Sequence, residues 1–243
     1  MSKLSLKLPV LQARPRDVVV LPDHRFFVRS ITLDGETEGG PVRDQIELAL
    51  EAVAPFPLGQ MLWGYWTKPD CGHALVFAAY RKRFTTEEME GWGEAEWVAP
   101  HFGAVLATAN PAAATTWILT TADGVTAVHF GDDTGVPTEV RSVALTAEAG
   151  DPEIAAAREH LIKACGGSKA VEDLAAVTVT AGEPGTDELL IGRGDVVEKV
   201  EVDQVQPMDV RDHEELTARR RARVRDMWLW RTLVASLVAL GLA

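Results

Sequence analysis

Asp70, Cys71 and His73 lie within four residues of one another in the segment "KPDCGHA" and could supply ligands to a metal ion. A structural zinc site needs four ligands, and a fourth is not evident near these three. We therefore interpret the segment as a turn. The other histidines are scattered, and no Ser/His/Asp or Cys/His order indicates an activated nucleophile. The sequence predicts no catalytic residues and no metal site.

Two turns between strands could face the phosphates of a nucleotide. Turns of this kind are rich in glycine, because backbone N–H groups must approach the anion closely and a side chain would block them. The first, "LPDHR", has no glycine, and Asp23 is its one candidate to hold a metal ion beside the phosphates. The second, "TADG", keeps Asp123 and Gly124, which also suit an ordinary hairpin. These three residues are weak cofactor-binding candidates, so we expect no cofactor, and ATP binding and hydrolysis are not favoured.

The last 25 residues, "RRRARVRDMWLWRTLVASLVALGLA", combine a basic cluster with an apolar run that only Arg231 interrupts after Met227. A helix needs roughly 20 apolar residues to cross a bilayer, so the run falls slightly short. We predict a single membrane span that the sequence cuts off, with residues 1–226 in the cytoplasm by the positive-inside rule. The predicted anchor consists of five arginines and two tryptophans at headgroup level: Arg219, Arg220, Arg221, Arg223, Arg225, Trp228 and Trp230.

Two other interpretations of this end stay open. An amphipathic helix lying on the membrane surface would need a polar face, which the apolar run lacks. A helix buried in the core of the protein fits poorly with arginines on every side of the preceding turns. A membrane span is the interpretation that we favour.

The negative charge of the chain is unevenly distributed. The formal net charge is −12, but residues 211–243 carry seven Lys and Arg against four Asp and Glu. Residues 1–210 therefore carry seventeen against thirty-two, a balance of −15. Because phosphate binding needs a cationic surface, nucleic acid is not an expected partner. Cys71 and Cys165 are the only cysteines and form no CxxC motif, which indicates a reducing compartment.

The first half of the sequence predicts strands around two helical segments. Strands are predicted at Val18–Leu21 and Phe26–Leu33, and later in "MLWGYWT" and "HALVFAAYR". A helix between these pairs carries the apolar stripe Val42, Ile46, Leu50 and Val53. Thr85 or Thr86 is predicted to cap a second helix, and "HFGAVLATANP" is interpreted as a strand.

The second half begins with a predicted meander of three strands around the turns "ADG" and "DDTG". A helix follows, with Asp151 as its cap, Pro152 in its first turn and Gly166–Gly167 after its end. "LAAVTVTAG" and "ELLIGRGDVVEKVEV" are interpreted as late strands. Paired strands that alternate with single helices are typical of a mixed α/β fold.

Four stretches carry a resemblance to a known family. They are "QIELALEAVAPFPLGQMLWGYW", "ALVFAAYRKRF", "ANPAAATTWILTTADGVTAVHFGDDTGVPTEVRSV" and the basic helix that leads into the apolar run. With these stretches, most of the chain resembles the cytoplasmic domain of the type II secretion system L protein and its relative, the type IV pilus assembly protein M.

The resemblance implies an actin-like fold of two ribonuclease-H-like lobes followed by a transmembrane helix. On this basis we expect a first subdomain at 1–108, a second at 109–202, a linker at 203–213 and a basic helix with the span at 214–243. It further implies a periplasmic domain after residue 243.

The function that the resemblance implies is a non-catalytic scaffold at the inner membrane. Its expected partners are the cytoplasmic assembly ATPase and other inner-membrane platform subunits of a secretion or pilus machine, and homodimerisation stays open. We expect the ATPase to dock on an acidic and aromatic face around residues 58–97. The alternatives are an ATP-binding actin-like protein of pilus assembly and a membrane-tethered regulatory domain unrelated to secretion.

Overall fold

A computed structural model describes residues 17–34, 40–69, 71–108, 110–166, 168–174, 176–183 and 186–242. Within these ranges the chain forms twelve strands and six α-helices, which confirms the predicted mixed α/β class. The elements of the first half are β1 (Val18–Leu21), β2 (Phe27–Thr32), α1 (Gly40–Val53), β3 (Met61–Trp66), β4 (His73–Tyr80), α2 (Thr86–Glu90), β5 (Trp97–Pro100) and α3 (His101–Ala107). Those of the second half are β6 (Thr115–Thr121), β7 (Gly124–Phe130), β8 (Glu139–Ala144), α4 (Asp151–Cys165), β9 (Ala170–Leu174), β10 (Val177–Ala181), β11 (Glu188–Arg193), β12 (Val196–Glu201), α5 (Val202–Val205) and α6 (His213–Leu242).

The first half is built around a three-stranded antiparallel sheet with the order β2-β4-β3. Helix α1 covers one face of this sheet through Val42, Ile46 and Leu50, which recur every four residues and are fully buried. Val53 was expected to continue this stripe but is 51% exposed at the last residue of the helix. The separate strand β1 pairs in parallel with β5.

The second half contains a four-stranded sheet with the order β8-β7-β6-β9. Strands β6 to β8 form the predicted antiparallel meander, whereas β9 returns parallel to β6 after the crossover helix α4. Helix α4 packs Ala157, Leu161 and Cys165 against β6 and β7. It begins at Asp151 with Gly150 as the N-cap, one residue earlier than predicted. A three-stranded antiparallel sheet, β10-β11-β12, completes this half.

The segment "HFGAVLATANP" forms helix α3 over His101–Ala107, so its interpretation as a strand is wrong. The strand lies just before it, at β5. Phe102 to Leu106 are all buried, so the segment has no polar face that would reveal a helical period. A short apolar run of this kind has the same pattern whether it is a buried strand or a buried helix.

Residues 203–213 were predicted to be a linker, and the structure corrects this. Residues 202–212, here called the strap, fold back onto the first half. Val202, Val205, Met208 and Val210 of the strap are buried in the same hydrophobic core as residues of both halves. The first three recur every third residue, so a helical turn places them on one side. The subdomain boundary at 108/109 stays a prediction.

Candidate functional site

Asp23, the first nucleotide candidate, lies in a short 3-10 turn between β1 and β2 and is only 6% exposed. Its Oδ1 accepts a hydrogen bond of 3.0 Å from the backbone N–H of Phe102, in the first turn of α3. The carboxyl group is therefore occupied by the backbone of the protein itself, because it meets one of the donors that a helix start leaves unpaired.

The other carboxyl oxygen of Asp23 is buried without a hydrogen-bond partner among the described residues, and so is Nδ1 of His101. Nε2 of His101 lies 3.2 Å from the carbonyl oxygen of Val177. Since a carbonyl only accepts, Nε2 must carry a proton, so Nδ1 is an acceptor in the neutral tautomer of the ring. Burial raises the pKa of the Asp23 carboxyl above its usual range, and the nearby His101 ring and Thr126 hydroxyl lower it less.

Asp123 and Gly124, the other nucleotide candidates, lie at the turn between β6 and β7. Asp123 is exposed, and its carbonyl oxygen accepts a bond of 3.0 Å from the N–H of Leu145. A Cβ added to Gly124 would collide with the carbonyl oxygen of Val143 in β8. The turn therefore needs glycine for close strand packing, and this need accounts for Gly124 whether or not a ligand binds there.

The metal candidates do not form a ligand set in the described part of the chain. Cys71 Sγ lies 3.4 Å from Nδ1 of His73, and Nε2 of that ring lies 3.3 Å from the carbonyl oxygen of Val136. Both ring nitrogens are thus engaged by protein atoms. Across the described residues, no group of three or more His, Cys, Asp and Glu could hold a metal ion. Asp70 lies outside the described residues.

All seven predicted anchor residues belong to helix α6. Arg225 is exposed beside Asp226, at 3.4 Å, and Trp228 and Trp230 are 59% and 55% exposed. In the described residues, up to 242, no helix is both long enough and apolar enough to cross a membrane. Arg225, Asp226 and Arg231 place three charges among the last 18 of these residues, and the predicted span is not supported.

Asp209 and Arg211, at the end of the strap, form a buried ion pair that the sequence analysis did not single out. Their side chains are 3% and 12% exposed. Arg211 Nε and Nη2 donate to the two oxygens of Asp209 at 2.9 and 2.7 Å, a bidentate pair. Asp209 also accepts from the N–H of Val98, at 3.2 Å. Two charges of opposite sign at i and i+2 were the available signal, but they do not reveal burial.

The guanidinium of Arg211 also donates to three backbone carbonyls in the segment before β5. Nη1 lies 2.6 Å from the oxygen of Trp92 and 2.9 Å from that of Ala95, and Nη2 lies 3.4 Å from that of Glu96. An exposed cleft of about 220 Å³ opens beside this contact, with Leu62, Met89 and Leu216 among its lining residues. The pair therefore fastens the strap to the first half where α6 begins.

Searches with the sequence find no matching family model and no matching curated protein. Among solved structures, the fold is similar to the cytoplasmic domain of EpsL, an inner membrane component of the type II secretion system of Vibrio cholerae. That match has 19% identity and a TM-score of 0.34, and it covers 52% of this chain and 50% of the chain of that domain. The PilM-PilN type IV pilus biogenesis complex matches with 17% identity and a TM-score of 0.37, over 56% of this chain and 45% of that one.

A protein of unknown function with an actin-like ATPase fold, from Bacteroides thetaiotaomicron, is also similar to this chain. Its identity is 12%, its TM-score is 0.40, and the match covers 67% of this chain and 61% of that protein. The chain thus spans between 45% and 61% of the length of these structures. The secretion and pilus proteins of the sequence resemblance are thus among the structures to which this chain is similar.

Proposed function

We propose that this chain is a non-catalytic platform subunit of a type II secretion or type IV pilus machine. It would hold the cytoplasmic assembly ATPase at the inner membrane. The proposal starts from the sequence resemblance to the L and M proteins, which implies an actin-like fold. Three features of the structure support it: the buried Asp23 in the turn between β1 and β2, the basic helix α6 and an acidic face on α2.

The burial of Asp23 is the observation that carries the non-catalytic part of this proposal. A nucleotide site needs a carboxylate that is open to the metal and phosphates, and N–H groups that point into the same space. Asp23 instead accepts from the N–H of Phe102 and is nine-tenths buried. The turn that would face the phosphates is therefore used to join β1 to the start of α3.

Attachment to the membrane is proposed for the basic cluster 219–225 and the tryptophans Trp228 and Trp230. Each Lys or Arg near an anionic leaflet adds about 1 kcal/mol of attraction, so five arginines make a substantial contribution. Tryptophan favours the headgroup region, where its ring meets both apolar and polar atoms. The acidic remainder of the chain is repelled by the same surface, which keeps it available to a cytoplasmic partner.

The docking face that we propose for the ATPase is the exposed acidic side of α2 and the turn after it, formed by Glu87, Glu90 and Glu94. It lies within the predicted range 58–97, whose aromatic residues contribute less because Trp66 is buried and Trp63 is half-buried. Helices of five residues are not stable alone, so α2 depends on contacts that fix it.

Two contacts fix α2 in place. Thr85 forms a capping box with Glu88: the hydroxyl accepts from the N–H of Glu88 at 3.2 Å, and Oε2 of Glu88 accepts from the N–H of Thr85 at 2.6 Å. Arg25, in the turn after β1, donates to Oε1 of Glu88 at 2.8 Å. The acidic face is therefore presented from a fixed position, as a docking surface requires.

Binding of the purified full chain, in mild detergent, to the assembly ATPase of the same organism tests this proposal. We expect the triple variant Glu87→Lys, Glu90→Lys and Glu94→Lys to weaken binding by about tenfold or more, because like charges replace complementary ones. The matched control reverses three exposed acids of the second half: Asp123→Lys, Asp133→Lys and Glu148→Lys. Equal loss in both variants would contradict the docking face, and no binding by the unaltered chain would contradict the scaffold role.

The non-catalytic part is tested separately by thermal unfolding of the same protein with Mg-ATP. A ligand at 100 times its Kd stabilises the folded state by about 2.7 kcal/mol, so a bound nucleotide is readily detected. We expect no shift in Tm and no phosphate release. A rise in Tm that Asp23→Ala abolishes would favour the ATP-binding actin-like alternative instead.

A further inference from the structure

We propose that Arg211 acts as a lock that makes α6 a rigid extension of the first half, so that α6 and β5 move as one body. The lock is defined here as the Arg211 guanidinium with the Asp209 carboxylate and the carbonyl oxygens of Trp92, Ala95 and Glu96. The expectation from the sequence was a linker at residues 203–213. The inference goes beyond the proposed function, because it concerns how position is transmitted and not what is bound.

The geometry of the lock resists both rotation and sliding of the strap. A bidentate Arg–carboxylate pair fixes the plane of the guanidinium, because two parallel hydrogen bonds must be kept at once. The three carbonyl contacts then hold that plane against the segment before β5, at 2.6, 2.9 and 3.4 Å. With the Asp209 side chain 3% exposed, breaking the pair would leave a buried charge without its partner.

The lock connects directly to the paired strands of the first half. Asp209 accepts from the N–H of Val98, and the N–H of Val210 donates to the carbonyl oxygen of Val98 at 2.9 Å. Val98 in turn pairs with Val19 of β1. The backbone N–H and C=O of Val98 thus both bond to the strap, and the same residue is paired with β1.

On the C-terminal side of the lock, α6 begins almost at once. Only Asp212 separates Arg211 from His213, the first residue of α6. Oδ1 of Asp212 accepts from the N–H groups of Glu214 and Glu215 at 2.9 and 3.1 Å, so it caps the helix. Leu216, one turn further on, is buried and lines the cleft with Leu62 and Met89 of the first half. A tilt of α6 therefore acts on Arg211 and not on a flexible linker.

Distances between paired spin labels test this rigidity in the purified full chain, in detergent and without membrane or ATPase. The labels are placed at Leu48→Cys on α1, which is 71% exposed, and at Arg225→Cys on α6, also exposed. Both native cysteines are buried, and a labelling control on the unaltered chain establishes their background. We expect one narrow distance distribution.

The perturbing variant inserts Gly-Gly-Ser between Arg211 and Asp212. The insertion leaves the residues of the lock unchanged but adds a flexible segment before α6. We expect the distribution to broaden by about twofold or more, as for a flexible linker, with Tm lowered by no more than the release of Leu216 explains. Arg211→Lys keeps the charge but loses the fork, and we expect it to broaden the distribution as well. Arg158→Ala is the matched control, because it removes a bidentate pair with Asp173, at 2.7 and 2.6 Å, far along the chain from the strap.

A broad distribution in the unaltered chain would overturn the proposal, and so would an insertion variant as narrow as the parent. Equal broadening in Arg158→Ala and Arg211→Lys would show a general loosening and would also overturn it. None of these results depends on membrane attachment or ATPase binding, so they stay distinguishable from a failure of the proposed function.

Discussion

Replacing Asp23 by Asn is expected to stabilise the protein at alkaline pH, although the sequence makes Asp23 a candidate to hold a metal ion. The Asn Oδ1 can keep the hydrogen bond from the N–H of Phe102, at 3.0 Å in the parent. Its Nδ2 group is a donor and takes the place of Asp23 Oδ2, which has no partner among the described residues, as has Nδ1 of the nearby His101. The amide therefore removes the unpaired carboxylate oxygen, and its Nδ2 can donate to His101 Nδ1.

The size of the effect follows from the cost of those unpaired groups. A buried polar atom without a partner costs about 1–3 kcal/mol, and geometry rarely allows the whole cost to be recovered. We therefore expect a gain of about 1–2 kcal/mol in the free energy of unfolding at pH 8. In a chain of this length that corresponds to about 2–8 °C in Tm.

The gain must depend on pH in one direction. Burial raises the pKa of Asp23 in the folded state above its unfolded value of about 3.9. Stability is then fully present below the unfolded pKa and is lost as the pH rises through the folded pKa. Protonated Asp23 can itself donate to His101, so the advantage of Asn should disappear at acidic pH.

Chemical unfolding at a series of pH values from 4 to 9 measures this directly. The matched control is Asp123→Asn, an exposed carboxylate at the other turn, for which we expect no change at any pH. An advantage that is the same at every pH would refute the argument from ionisation. A destabilised Asp23→Asn at pH 8 would refute the assignment of His101 Nδ1 as an acceptor.

Three further outcomes can be checked on single variants or on the parent. Gly64→Ala should destabilise by about 1–3 kcal/mol in chemical unfolding, because its Cβ would lie 2.9 Å from both the Met208 oxygen and Phe77, whereas Gly59→Ala meets open space and should cost far less. Thr85→Ala should cost about 1 kcal/mol through loss of the capping box, with Thr86→Ala as the control, and equal losses would contradict the cap. Burial raises the pKa of the Cys165 thiol to about 11, so its alkylation at pH 8, mapped by mass spectrometry, should be slow in the folded chain and fast after unfolding; rapid labelling of folded protein would contradict the packing of α4.

Local patterns were sufficient to predict most of the elements. The alternation and turn residues of "TTWILTTADGVTAVHF" predict β6 and β7, and the spacing of Val42, Ile46 and Leu50 predicts α1. Local chemistry limits the cap of α2 to Thr85 or Thr86, and the structure selects Thr85, which forms a capping box with Glu88. These features need no information from distant parts of the chain.

The features that were missed depend on contacts between distant positions. Arg211 meets Trp92, 119 positions earlier, and Asp23 meets Phe102, 79 positions later. Nothing in the neighbouring residues reveals that these charges are buried. Residues 203–213 were interpreted as a linker, although Val202, Val205 and Met208 carry a helical spacing. The prediction of a strand at α3 failed for the opposite reason, since an entirely apolar segment shows no helical period.

Flotation of vesicles tests the proposed scaffold most directly. The full chain is mixed with the purified assembly ATPase and with vesicles of inner-membrane composition, and the floating fraction is analysed with and without the chain. The account predicts that the ATPase floats only when the chain is present, and that Glu87→Lys with Glu90→Lys and Glu94→Lys leaves the chain on the vesicles but releases the ATPase. A chain that remains in the aqueous fraction, or an ATPase that floats equally well without it, would contradict the claim that this protein holds the motor at the membrane.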